Sequence, residues 1–149
     1  MSEAHPVVVV GFDGSDASKD ALRWAARQAQ LTDGEVNAVI AWDFPPTYGF
    51  YVDYSEAEFA GHARTTLEEA VAEVLGDPPP VPITVSAVRG RPAEVVIEAS
   101  QSADLLVVGT RGRGAFTGML LGSVSQHCVQ HAACPVVVVR PRAVSRPRK

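Results

Sequence analysis

The 149-residue chain lacks any apolar run near the ~20 residues that a membrane-spanning helix needs; its all-valine runs, Val7–Val10 and Val136–Val139, are four residues each. No membrane partner is therefore expected. The opening residues Met1 to Pro6 hold Glu3 and no Lys or Arg, unlike a secretory signal, and the expectation is a cytoplasmic protein. Cysteine is scarce too. Cys128 and Cys134 form neither a CxxC redox pair nor a zinc-ligand spacing, so they read as reduced, buried thiols. Lysine occurs only as Lys19 and Lys149, which rules out the Gly-Lys-Ser/Thr core of a P-loop. Positive charge is thin over most of the chain. Net charge is −4, but five of the thirteen basic residues (Arg140, Arg142, Arg146, Arg148, Lys149) lie in the last ten positions. That leaves eight against seventeen acids before them, a balance of −9. An acidic body of this kind argues against a nucleic-acid-binding surface, which needs clustered Lys or Arg on the fold itself. Residues 142–149 read as a basic, solvated tail on a single domain spanning 1–141.

What the chain does contain is a regular alternation. Val7–Gly11 is a short apolar run bounded by Pro6 and by Gly11 and Gly14, the pattern of a buried parallel strand. Ser15 or Asp16 can cap a helix whose Leu22, Ala25, Ala26 and Ala29 recur at helical spacing, and the Asp33-Gly34 turn ends it. Val36–Trp42 is a second strand, and residues 43–53 form a loop holding Pro45, Pro46 and Gly49. Ser55-x-x-Glu58 is a capping box opening a long helix that Gly76 closes. Ile83–Val88 is a third strand, Pro92 suits the first position of a helix to about Gln101, and Leu105–Val108 is a fourth strand. A last helix runs from Gly122-Ser123 to about Ala132, and Val136–Val139 is the fifth strand. Strands alternating with helices imply right-handed βαβ units and a three-layer α/β/α domain around a mostly parallel five-stranded sheet. In such sheets ligands bind beyond the carboxyl ends of the strands. Two loops qualify: Gly11-Phe-Asp-Gly-Ser15, and the glycine-rich segment after the fourth strand.

That segment reads Gly109-Thr-Arg-Gly112, continuing to Gly122-Ser123. Glycines let backbone N–H groups approach phosphates closely or turn with positive φ, and Gly109 and Gly112 can supply such a turn. Gly122-Ser123 falls at a helix N-terminus, where unpaired N–H groups and the helix dipole favour an anion, and the Ser123 hydroxyl adds a donor. A GxGxxG dinucleotide fingerprint is absent, because Gly112-Arg-Gly114 is followed by Ala115, Phe116 and Thr117.

The pattern Gly-x2-Gly-x9-Gly-[Ser/Thr] at Gly109, Gly112, Gly122 and Ser123 resembles the universal stress protein family. So do Asp13-Gly14-Ser15 after the first strand and the closing run from Gly122 to Val139. The resemblance covers residues 7–139. It implies an ATP-binding α/β fold with strand order 3-2-1-4-5, frequent homodimers and little or no rapid catalysis. Carried onto this chain, it places ribose and phosphates at Gly109, Gly112, Gly122 and Ser123 with Val124 beside them, and Asp13 at the adenosine end. Ala41 takes a second-strand position that often carries a larger aliphatic contact to adenine. Gly11 and Arg111 complete the candidate contacts to ATP, with or without Mg²⁺.

Plainer readings accompany these. Asp13 can cap its own turn, Ser123 can be an ordinary N-cap, and Arg111 and Arg113 can be solvated. Phe116, Met119, Leu120 and Leu121 suit core or interface cover, and Trp24 and Trp42 suit packing. His127 and His131, four apart on the last helix, have a spacing that can bind metal, but without an accompanying Asp, Glu or Cys set they read as surface histidines. No catalytic residues and no metal site are assigned. The expectation is an ATP-binding regulator or sensor that homodimerises through its last strand and serves an unidentified regulatory protein partner. A nucleotide-free interaction module and an adenylyl-transfer-type enzyme are the alternatives. The latter lacks its His-x-Gly-His or Ser-Gly-Gly-x-Asp-Ser signature.

Overall fold

The structure is a computed structural model that describes residues 5–110 and 121–141. Its elements alternate along the chain. They are β1 (Val7–Phe12), α1 (Asp16–Thr32), β2 (Glu35–Trp42), α2 (Glu56–Leu75), β3 (Ile83–Arg89), α3 (Pro92–Ser100), β4 (Leu105–Gly109), α4 (Ser123–His131) and β5 (Val136–Val139). The five strands form one parallel sheet in the order β3-β2-β1-β4-β5. The expected strand order and every expected element are borne out, with boundaries shifted by a residue or two. Val7, Val8, Val9 and Val10 line up with Glu35 to Ala38 on β2, and Val8 to Val10 with Leu105 to Val107 on β4. The winding direction therefore reverses between β1 and β4.

Alternation along the strands sends side chains to two cores. Val8, Val10, Phe12, Ala38, Ile40 and Val107 meet Ala21, Leu22, Ala25, Ala29 of α1 and Ala63, Leu67, Ala70 of α2 on one face. Val9, Val39, Leu106 and Val108 meet Val95 and Val96 of α3 and Cys128 of α4 on the other. The central strands are apolar on both faces because both are covered.

The caps follow the sequence chemistry. Ser15 Oγ accepts from Ser18 N at 3.1 Å and Ser55 Oγ from Glu58 N at 3.2 Å, while Pro92 opens α3. At the end of α1 the two turn residues divide the work. Asp33 takes the left-handed conformation (φ 56°), and a Cβ on Gly34 would stand 2.5 Å from the Pro6 carbonyl oxygen. Gly34 is thus a glycine for lack of room, and Asp33 supplies the turn.

Candidate functional site

Among the described residues, the carboxyl ends of β1 and β4 carry Gly11, Gly109 and the backbone around Thr110 and Gly122. Gly11, near the end of β1, lies on the α3/α4 face, where a Cβ would come 3.1 Å from Val96 Cγ2 and 3.5 Å from Val108 Cγ1. Ala41 and Val124 are half-buried against the same core. Ala41 stands one residue beyond Ile40, the partner of Phe12, so it lies on the same rim. Gly11, Ala41 and Val124 are thereby brought to one side of the sheet at its carboxyl end.

Gly109 is different. It lies on the α1/α2 face, and a Cβ there would stand 2.7 Å from Ala17 Cβ and 2.9 Å from the Ala17 carbonyl carbon. Its φ is not positive, unlike those of Gly14, Gly49, Gly76 and Gly90. The expectation that Gly109 supplies a turn is corrected: this glycine lets the first turn of α1 lie directly on the end of β4. Arg111, Gly112, Arg113 and the run from Phe116 to Leu120 lie outside the described residues, as does the basic tail, 142–149.

Beyond Gly109 the chain is fastened. Thr110, buried, donates its N–H to Val139 O at 2.8 Å, and its carbonyl accepts from Gly122 N at 2.6 Å. The buried Ser125 hydroxyl lies 2.8 Å from the same Thr110 carbonyl and 3.0 Å from Gly122 O, sharing its proton between them. These bonds fix the start of α4 to the end of β4. The sequence reading included Ser125 in the closing run from Gly122 to Val139 but assigned Ser125 and Thr110 no role. A small hydroxyl residue in the first turn of α4 was the available signal.

Two helices begin at this rim, and their first turns are not alike. At α1, Asp13 Oδ1 accepts from Ser15 N at 2.9 Å, Ser15 caps Ser18 N, and Asp16 adds a negative charge to the first turn. Side chains of the chain itself already complement that N-terminus. At α4 the N-cap is Gly122, at φ −76° and ψ 173°, and among the described residues no side chain caps the helix and no acid stands in its first turn. This is extended backbone that any residue adopts, so Gly122 is distinguished by the side chain it lacks and not by an unusual conformation. Ser123 is exposed beside it. The turn-capping reading of Asp13 is thus observed, and the anion-attracting end of a helix is found at Gly122-Ser123.

The neighbouring rim, at the carboxyl ends of β2 and β3, is filled by side chains. Phe44 stacks on Tyr54 with centroids 5.2 Å apart, meets Phe59 edge-on at 5.1 Å, and carries the Arg89 guanidinium 4.6 Å from its ring centre. Arg89 also pairs with Asp43, whose carboxyl is held below its usual range first by the Phe44 backbone N–H and then by Arg89. Behind α4, burial pushes the Cys128 thiol up to about 11; of the two thiols expected to be buried, Cys128 is, whereas Cys134 is only half-buried. Among the described residues no group of three or more His, Cys, Asp or Glu converges on a metal-sized site, and no helix is long and apolar enough to cross a membrane.

Comparison with known proteins gives a consistent result. Residues 6–140 match the Universal stress protein family. A universal stress protein of Mycobacterium tuberculosis is 39% identical over 137 residues, covering 91% of this chain and 46% of that protein. One from Thermus aquaticus is 36% identical over 135 residues, covering 89% of this chain and 97% of its own length. The chain spans about half the length of the mycobacterial relatives it matches. Among solved structures, universal stress protein UspA from Lactobacillus plantarum superposes with a TM-score of 0.72 at 22% identity, covering 93% of this chain and all of that one. A universal stress protein in complex with cAMP superposes with a TM-score of 0.67 at 28% identity, covering 94% of this chain and all of that one.

Proposed function

The chain belongs to the universal stress protein family, and we propose that it binds an adenine nucleotide, ATP being the physiological form, and acts as a cytoplasmic regulator or sensor of the stress response. The observation that carries this reading is the contrast between the two helix starts. The N-terminus of α4 offers backbone donors at an exposed serine with no capping side chain among the described residues, on the rim where the sheet's winding reverses. The cAMP complex of a similar protein supports an adenine nucleotide as the ligand class.

In this reading the phosphates lie at the Gly122–Ser123 helix start, where the Gly122 N–H is already bonded to Thr110 O, and the Ser125 staple holds the backbone of the first turn in place before the ligand arrives. Gly11, Ala41 and Val124 give an apolar wall on the α3/α4 side. Asp13 serves its own turn and stands at the ribose end. Gly109, Arg111 and Gly112 complete the phosphate segment, and Mg²⁺ accompanies a triphosphate. Hydrolysis is slow, because the chain has no P-loop lysine and, among the described residues, no positioned base can be named for attack on the γ-phosphate. Turnover stays well below the enzyme median of ~10 s⁻¹. The β5 edge, four half-buried valines paired on one side to β4, is the homodimer contact, and a dimer mass in light scattering at micromolar concentration is its check.

The test is calorimetry of the purified chain with cAMP, AMP and ATP, with and without Mg²⁺, beside mass spectrometry of small molecules released on denaturation. Saturable 1:1 binding of an adenine nucleotide is expected. If none binds and none is released, the nucleotide reading is wrong and the interaction-module alternative takes its place.

A further inference from the structure

The outer face of α4 carries two imidazoles that the nucleotide reading does not use. His127 and His131 are four residues apart, both exposed, with ring centres 6.3 Å apart and planes inclined by 37°. Positions i and i+4 of a helix share one face, so the two rings project from the same side of α4. The His127 ring is also oriented: Nδ1 lies 2.8 Å from the Ser123 carbonyl oxygen. A carbonyl only accepts, so Nδ1 carries the proton, and in the neutral ring Nε2 is left with the lone pair. This is the arrangement in which histidine serves as a metal ligand, one ring nitrogen donating to a carbonyl and the other free for the ion. An ion bound to both rings at ~2.0–2.1 Å needs the two nitrogens about 3.4 Å apart in tetrahedral geometry and about 2.9 Å apart at a tetragonal right angle. Ring centres 6.3 Å apart must close by about 1–2 Å to reach that, which takes a χ1 change of His131 as well as χ2 rotation, with the helix unmoved.

We propose that His127 and His131 form a two-histidine chelate for a borderline divalent transition ion, Cu²⁺ in preference to Ni²⁺ or Zn²⁺. Imidazole pairs select these ions over Mg²⁺ and Ca²⁺, which prefer oxygen, and the order among them follows the general stability series of first-row ions. The remaining coordination positions are filled by water or by a ligand from another molecule, since no third protein ligand converges there among the described residues. The site is independent of the nucleotide reading. It needs α4 and its two side chains, whatever binds at the helix start.

The test uses the untagged full chain titrated separately with Cu²⁺, Ni²⁺ and Zn²⁺ by calorimetry. Imidazole C–H resonances are followed through the Zn²⁺ titration. The expected result is one saturable ion per chain, with the two α4 histidines shifting together. In the double variant Val129→His, His131→Val the histidine count is kept but the second ring moves to i+2, off the shared face. Affinity should fall at least tenfold with the thermal melt unchanged. His62→Ala, on α2, should leave binding as in the parent. The proposal is overturned if the parent binds no ion stoichiometrically, if the transposed variant binds equally well, or if Mg²⁺ competes on equal terms.

Discussion

The rim at β1 and β4 and the rim at β2 and β3 belong to the same edge of one sheet, yet they are built in opposite ways. At β2 and β3, Trp42, Phe44, Tyr54, Phe59 and Arg89 occupy the space above the strands with their own rings and charge. At β1 and β4 the described residues near the strand ends include Gly11, Gly109 and Gly122, and hydrogen bonds through Thr110 and Ser125 hold the backbone. One rim is stabilised by burying aromatic surface, the other by fixing polar backbone.

The largest effect expected from disturbing this contrast comes from Gly109→Val. A side chain there collides with the backbone of Ala17, which cannot yield without lifting α1 from β4, and overpacking of this kind costs about 3 kcal/mol. Urea unfolding should show it. A variant as stable as the parent would mean that α1 does not rest on Gly109.

Phe44→Ala should cost about 2 kcal/mol, less than a fully buried aromatic because Phe44 is only half-buried, and should leave nucleotide affinity unchanged. Loss of both stability and binding would show that the two rims are coupled, contrary to the comparison. Ser125→Ala removes a hydroxyl from a buried staple whose Thr110 carbonyl still accepts from Gly122 N, so about 1 kcal/mol is expected. Nucleotide binding should weaken more than stability does, because α4 starts from a looser anchor. Equal affinity in parent and variant would remove Ser125 from the site.

The smallest effect concerns Cys128. Its thiol pKa is raised to about 11, so the folded state keeps a proton that the unfolded chain loses from about pH 9, and stability declines as pH rises between those values. Below pH 9 the group contributes no pH dependence. Thiol-reagent kinetics at neutral pH should show Cys128 protected until the chain unfolds, whereas reaction at the rate of a free thiol would contradict its burial.

Most of the fold was legible because its signals are local. Valine runs, the Ser15 and Ser55 caps and Pro92 each fix an element from within a few residues, and alternation of strand and helix then limits the topology. The site was legible in part. Gly122-Ser123 marks a helix start, which sequence can show. Gly109 was misread as a turn because a glycine pressed against a distant helix and a glycine in a turn look alike along the chain. Ser125 went unassigned for a related reason: its partner carbonyl lies across the whole glycine-rich segment, and nothing adjacent to it in sequence reveals the bond.

Ser123→Asp tests the central claim with two readouts of opposite sign. A carboxylate at the first position of α4 complements the helix dipole, so the melt should hold or rise by the equivalent of about 0.3–1 kcal/mol. The same charge stands where the phosphates are placed, and calorimetry with ATP should show affinity falling at least tenfold, about 1.4 kcal/mol or more. A variant that folds as well as the parent and binds ATP equally tightly would contradict the assignment of the phosphates to the start of α4.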